Sequence, residues 1–355
     1  MNTTMTQTGT ASGRSGGWQI VRWRGFGALG AALLLMATAS GCHDLRQKQA
    51  HDHLARGQEL LHQQNLAAAL DEFRQASELD PQMAVAYSKM GTIYRRMGDY
   101  EQAISHFVAA VRHDPFSFDD TLNLAQLYHF TKRLKDAIQA YLHAADLRPG
   151  DYDAQLNLGV CYQEAGDYRQ AAERFQNAIE ADPDRPHAYV NLGVALDAQD
   201  KHYEAVRAYK EALERDNRQP QVLVNLGRTY INQDRLKMAR EALLQAVAID
   251  PEFAAAHEAL GYCHFRLEDY EAAEREYTLA LQCDPRLARA CAGLGSLYML
   301  RHLQNPEQAD LRDRAIEQWH RSLELDSDQP RIRRLIARYS QSRPDPEGTL
   351  LDDRR

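Results

Sequence analysis

Basic charge is in short supply in this sequence of 355 residues, where 42 lysines and arginines face 50 acids for a net charge of −8. Residues 1–41 hold Arg14, Arg22 and Arg24 and no acid, so the remainder carries −11. Phosphate binding needs a basic surface, so this balance argues against a bulk nucleic-acid binder. It argues equally against docking to anionic lipid by charge alone. With 12 prolines and 20 glycines the chain is neither collagen-like nor of low complexity. None of the 5 cysteines has C-x-x-C spacing, which excludes the common zinc and redox motifs. Walker, G-x-S-x-G, H-E-x-x-H and dinucleotide-binding fingerprints are all missing. No catalytic residue, metal site or cofactor is therefore expected. His51 and His53, two apart on a helix, point to different faces, and the 14 histidines read as surface residues.

What the sequence does have is a period. Pro81, Pro115, Pro149, Pro183, Pro251 and Pro285 share one 34-residue phase, with Asn217 filling the gap. Gly57, Gly91, Gly159, Gly193, Gly227, Gly261 and Gly295 form a second grid, completed by Ala125. Ala69, Ala103, Ala137, Ala171, Ala205, Ala239 and Ala273 form a third. Phe73, Phe107, Tyr141, Phe175, Tyr209, Leu243 and Tyr277 form a fourth. Each unit reads as two helices. In the second unit they are Ala84–Met97 and Tyr100–His113, turned at Gly98-Asp99 and stopped by Asp114-Pro115. Small residues such as Gly91 and Ala103 let two helix backbones approach, while Tyr87, Met90, Tyr94, Phe107 and Ala110 fill the seam. One helix pair cannot bury both apolar faces, so neighbours must stack.

The sequence resembles tetratricopeptide-repeat proteins, whose unit is a 34-residue helix–turn–helix with this pattern of large and small residues. The resemblance covers residues 50–330, in eight units starting at Ala50, Ala84, Phe118, Tyr152, Pro186, Pro220, Ala254 and Ala288. It implies an all-α, right-handed α-solenoid (superhelix). The eighth unit departs from the pattern: Glu307 stands on the alanine grid, and the fit returns at Ala315 and Trp319. An insertion near 301–313 at the inter-helix turn accounts for this. Residues 331–341 read as a capping helix whose Ile332, Leu335 and Ile336 cover the end of the stack. Residues 342–355 are polar, carry two prolines and read as a disordered tail.

Residues 1–41 read as an export signal of lipoprotein type. A basic, polar start precedes the apolar stretch Phe26–Ala39, whose 14 residues fall short of the roughly 20 that a membrane-spanning helix needs. Ala39-Ser40-Gly41-Cys42 resembles the bacterial lipobox, which makes Cys42 the lipidated first residue and 42–49 a short stalk. A plain cleaved signal or an uncleaved anchor remains open. His43 rather than aspartate after Cys42 favours the outer membrane, facing the periplasm. Cys161, Cys263 and Cys291 take packing positions and read as small buried apolar residues. Pairing of Cys291 with Cys263 or Cys283 stays open.

One constellation bears on binding. Asn123, Asn157, Asn191 and Asn225 lie on a single grid. The family resemblance puts that side of the first helices in a concave groove. The set is similar to the asparagine ladder of O-linked N-acetylglucosamine transferases, which holds extended peptide backbone. A primary amide both donates and accepts, so it can bond a peptide unit whatever its side chain. Leu122, Leu156, Val190 and Val224 sit beside the asparagines, with Val160, Val194 and Arg228 one turn on. Bonding within the stack is the alternative role for these amides. Lys89, Arg95 and Arg96 make the second unit basic, suited to an acidic segment or a carboxylate. A chaperone-type carboxylate clamp does not recur in the third unit, where Leu122, Asn123 and Gln126 stand.

These features imply a non-enzymatic scaffold that binds extended segments of other proteins and is tethered to a bacterial membrane through Cys42. It would resemble the repeat lipoproteins that serve pilus, secretion or outer-membrane assembly. No nucleic acid or small-molecule substrate is implied. The alternatives are part of a protein O-glycosyltransferase-like system, for which residues 331–355 leave no room for a catalytic domain, or a self-associating structural array.

Overall fold

The computed structural model describes the backbone of residues 26–340, with side chains from residue 44 onward except Ala309. Residues 1–25 of the expected signal segment 1–41, the Cys42 side chain, and residues 341–355 with the expected tail lie outside the described residues. Every described element is an α-helix. Among the described residues sixteen helices follow the period of the sequence, two to each repeat, and a final helix comes after them. The helices are α1 (Phe26–His62), α2 (Leu66–Leu79), α3 (Ala84–Met97), α4 (Tyr100–His113), α5 (Phe118–Phe130) and α6 (Leu134–Leu147). Next come α7 (Tyr152–Glu164), α8 (Tyr168–Ala181), α9 (Pro186–Asp197), α10 (His202–Arg215), α11 (Pro220–Asn232) and α12 (Leu236–Ile249). Last are α13 (Ala254–Arg266), α14 (Tyr270–Cys283), α15 (Ala288–Gln304), α16 (Ala309–Leu325) and α17 (Pro330–Ser340). The expected all-α repeat solenoid is therefore the fold. Contacts divide the chain into two compact units, one ending at Asp99 and one starting at Tyr100.

The first unit holds α1, α2 and α3. The stalk expected at 42–49 is helical backbone continuous with the first repeat helix, because no proline interrupts α1. Among the described residues no helix is long and apolar enough to cross a membrane. Ala69 and Phe73 are fully buried. The Phe73 ring lies where a Cβ on Gly57 would be, at 2.6 Å.

The second unit repeats that contact along its length. A Cβ on Gly159 would stand 2.5 Å from the Phe175 ring, and one on Gly193 would stand 2.5 Å from Tyr209. Glycine is thus needed here for close approach. All the grid alanines are fully buried. The turns follow the same register. Lys132, Gly166, Asp200, Asp234 and Glu268 all have positive φ between 58° and 79°. The first unit's turns at Gln64 and Gly98 match them. After α8, α10, α12 and α14 comes a short loop where an aspartate carboxylate accepts a backbone N–H two residues on. Asp182, Asp216, Asp250 and Asp284 do so at 2.9–3.2 Å.

The insertion near 301–313 is taken up mostly as helix on either side of the turn: α15 and α16 each have 17 residues, where α13 has 13 and α14 has 14. Eight residues are close to one added turn on each helix, which restores the facing of the apolar stripes. Trp319 consequently meets Gly295, whose Cβ would stand 2.5 Å from its ring. Then α17 covers the end, burying Ile332, Leu335 and Tyr339. The Arg312 guanidinium holds it by donating to the Tyr339 carbonyl at 2.9 and 3.0 Å.

The described cysteines are free thiols, with Cys161, Cys263 and Cys291 buried and Cys283 exposed. Burial pushes the Cys161 thiol up to about 12 and the Cys263 thiol up to about 11. Neither behaves as a nucleophile at neutral pH.

Candidate functional site

Within the second unit the first helices of successive pairs touch one another: α7 meets α9, α9 meets α11, α11 meets α13 and α13 meets α15. The second helices make no comparable contact. The first helices are therefore the more crowded, inner layer, and the residues singled out for binding belong to it. Asn123, Asn157, Asn191 and Asn225 are each half-buried, on α5, α7, α9 and α11 respectively.

Their amides are partly engaged. Asn157 Nδ2 donates to the Asp153 carbonyl at 2.8 Å. Asn225 Oδ1 accepts from Gln221 Nε2 at 3.0 Å. Both bonds stay within one helix and leave capacity, since an amide offers two donors and two acceptor sites. Leu122, Leu156, Val160, Val190 and Val194 flank the amides and are half-buried. Val224 corrects the expectation. It is fully enclosed, in one cluster with Ala256 and Leu260 of α13, so it supports the face from beneath and offers no surface.

Arg228 does reach this layer, but not as a free cation. Its Nη2 donates to Glu258 Oε2 at 2.6 Å, with the glutamate side chain only 11% exposed. Glu258 stands at the register of Val190 and Val224, and Arg228 at that of Val160 and Val194. An acid and a base replacing two aliphatics at neighbouring register positions are the sequence signal for this pair.

A second polar group was hidden from the sequence. Asp197 Oδ2 accepts from Thr229 Oγ1 at 2.5 Å and from Tyr209 Oη at 3.2 Å. His202 Nδ1 lies 2.9 Å from Asp197 Oδ1. Thr229 and Tyr209 are buried, so three helices are tied to one carboxylate. Burial, then the Asp197 charge and hydrogen bond, pushes the Tyr209 phenol well above its ordinary value. His257 also departs from the surface reading. It is 5% exposed, with Nδ1 at 2.7 Å from Glu276 Oε2 and Nε2 at 2.9 Å from the Pro251 carbonyl.

In the first unit, Lys89 and Arg96 line a concavity of about 520 Å³ with His62, Gln58, Leu61 and Gln64. Arg95 is half-buried on the same helix and is not part of that lining. Two of the three expected cations are thus brought together. Among the described residues no group of three or more His, Cys, Asp or Glu side chains could hold a metal ion.

Comparison with known proteins places these features. Residues 45–292 match the tetratricopeptide-repeat family model described as the cilia and flagella-associated protein 70 C-terminal domain. No curated protein matches the sequence. Among solved structures, the C-terminal part of a repeat protein from Cytophaga hutchinsonii is 18% identical, with a TM-score of 0.56 over 68% of this chain and 99% of that one. The APC/C hetero-tetramer Cut9-Hcn1 is 16% identical, with a TM-score of 0.54 over 78% of this chain and 53% of that one. YrrB, described as a repeat protein with an unusual peptide-binding site, is 21% identical, with a TM-score of 0.49 over 53% and 96%.

Proposed function

Because the chain belongs to the tetratricopeptide-repeat family through residues 45–292, we propose that it is a non-enzymatic scaffold binding extended segments of other proteins. The observation that carries this reading is the row of half-buried amides Asn123, Asn157, Asn191 and Asn225 on the inner layer of the second unit. Aliphatic side chains stand beside them. Amides at a constant step can follow a peptide backbone, and the aliphatic neighbours exclude water from those bonds. The basic concavity of the first unit, with Lys89 and Arg96, supports a partner that carries acidic residues.

The finer reading is a membrane-anchored scaffold of the bacterial cell envelope. It rests on Ala39-Ser40-Gly41-Cys42 following an apolar stretch. Diacylation of Cys42, with a further N-acyl group, would hold the protein where one chain alone gives only reversible binding. Complex assembly in the envelope is the role such a tether serves.

One experiment tests both levels. The full chain carrying a C-terminal affinity tag is expressed in a Gram-negative host, and its partners are captured from detergent-solubilised membranes. Replacing all four ladder asparagines with alanine is expected to reduce recovery of those partners by about tenfold or more, the loss of roughly one net hydrogen bond per amide. Equal recovery overturns the ladder. In parallel, Cys42→Ser is expected to move the protein from the membrane to the soluble fraction, and unchanged sedimentation with membranes overturns the anchor.

A further inference from the structure

In the first unit, cations meet acids where α1 packs on α2. Glu72 accepts from Arg56 at 3.1 Å and stands 2.7 Å from His53. The concavity lined by the end of α1 and by α3 has no such match. Lys89 and Arg96 are seven residues apart and so share one face of α3. Neither has a hydrogen bond or an ion pair among the described residues. Helix α3 itself contains no acidic residue.

The rest of the lining adds donors. Gln58 and Gln64 offer amide N–H groups and His62 a ring N–H. Leu61 completes the wall, and no carboxylate lines it. Lys89 is half-buried and Arg96 exposed, so the recess opens to solvent on one side.

Charge and donor number define the anion that fits. Lys89 and Arg96 carry two positive charges into one recess, and a single carboxylate would leave one of them unmatched. A phosphate monoester carries about −1.5 to −2 at neutral pH and offers three strong acceptor oxygens. Its charge equals that of the two cations. Its oxygens can accept from the guanidinium fork, the ammonium and an amide together. The recess of about 520 Å³ also has room for the residue that carries the phosphate and for its neighbours. A membrane headgroup is the less suited source. The whole chain is net negative at −8 and is repelled by an anionic surface, whereas one phosphate inside the recess meets the local cations.

We infer that this recess is a phosphate site, taking a phosphorylated side chain of a partner segment. Lys89 and Arg96 bind the phosphate oxygens, and Gln58, Gln64 and His62 supply further donors. The inference rests on the partner-binding reading of this concavity and names the group it recognises.

The test is fluorescence anisotropy with the full chain and a short fluorescein-labelled peptide, one phosphoserine in a serine and glycine background. Binding is expected, with a loss of about tenfold or more when serine replaces the phosphoserine and about threefold or more when glutamate does. Lys89→Gln and Arg96→Gln are each expected to weaken it about tenfold. Lys48→Gln, exposed on α1 and outside the lining, is expected to leave it unchanged. Absence of binding, or binding unchanged in both recess variants, overturns the site. An equal loss in Lys48→Gln assigns the binding to diffuse charge and overturns it too. Equal binding of the glutamate peptide overturns the choice of phosphate. Inorganic phosphate binding as tightly as the peptide makes the ligand a free ion and overturns the partner. Displacement of the peptide by phosphatidylcholine vesicles containing phosphatidic acid, beyond that by phosphatidylcholine alone, makes it a lipid headgroup with the same consequence. The four-asparagine variant is expected to bind this short peptide as wild type does. Its failure to bind, with both recess variants intact, overturns the recess and leaves the ladder standing. Partner capture that is indifferent to the asparagines, with peptide binding lost in the recess variants, overturns the ladder and leaves the recess.

Discussion

At the scale of single residues, the repeat is a set of small-to-large contacts. Gly159 and Phe175 are an instance: the ring occupies the space a Cβ would need. Gly159→Ala forces the fully buried Phe175 to move within a packed seam. Overpacking of this kind costs about 1–3 kcal/mol, and urea denaturation should read a loss in that range. The repeat starting at Phe118 shows why the figure is not larger, since Ala125 already stands at this register, fully buried like Tyr141 opposite. Residue identity was legible at these positions because the same contact is made in every unit. Val224 was not legible. Its type matches its grid neighbours, yet it is enclosed while Val190 and Val194 are half-buried, a difference set by how closely α13 approaches.

At the scale of elements, helix bounds follow from turn chemistry written in the sequence. Proline, aspartate and left-handed turn positions recur at a fixed register. The insertion could be located from the delayed return of Ala315 and Trp319, but not its conformation. Extending two helices by a turn each keeps backbone bonds satisfied and faces aligned, which an irregular turn would not. The tie between elements at Asp197 also escaped the sequence, because its partners Tyr209 and Thr229 lie 12 and 32 positions away. Asp197→Ala leaves the Tyr209 hydroxyl buried without an acceptor, a loss of about 1–3 kcal/mol. Asp197→Asn keeps an acceptor there. Thermal unfolding should rank wild type above the asparagine variant and that above the alanine variant, and equal midpoints would remove Asp197 from the account.

At the scale of the whole molecule, a stack needs its end covered. In the second unit that is the work of α17, whose Ile332, Leu335 and Tyr339 are 5–7% exposed. Its Tyr339 ring lies 6.1 Å from the fully buried Trp319. Deleting residues 330–355, with Trp18 and Trp23 changed to phenylalanine, should shift Trp319 emission to the red. The loss of stability should reach at least about 3 kcal/mol, since burying such a side chain contributes roughly 1.5–3 kcal/mol. An unshifted emission maximum would show that α17 is not the cover. The amphipathic spacing of Ile332 and Leu335 sufficed to predict this helix, because a cap is the simplest role for a single apolar stripe beside a finished repeat.

By itself the sequence determined the period, the pairing of helices within each unit and the residues of the seam, because those contacts are local and recur at one spacing. It also placed four asparagines in register. Only the tertiary structure decided which neighbours lie on the surface and that Arg228 is neutralised by Glu258. Those outcomes depend on distances between helices of different units, which vary along the stack while the period does not.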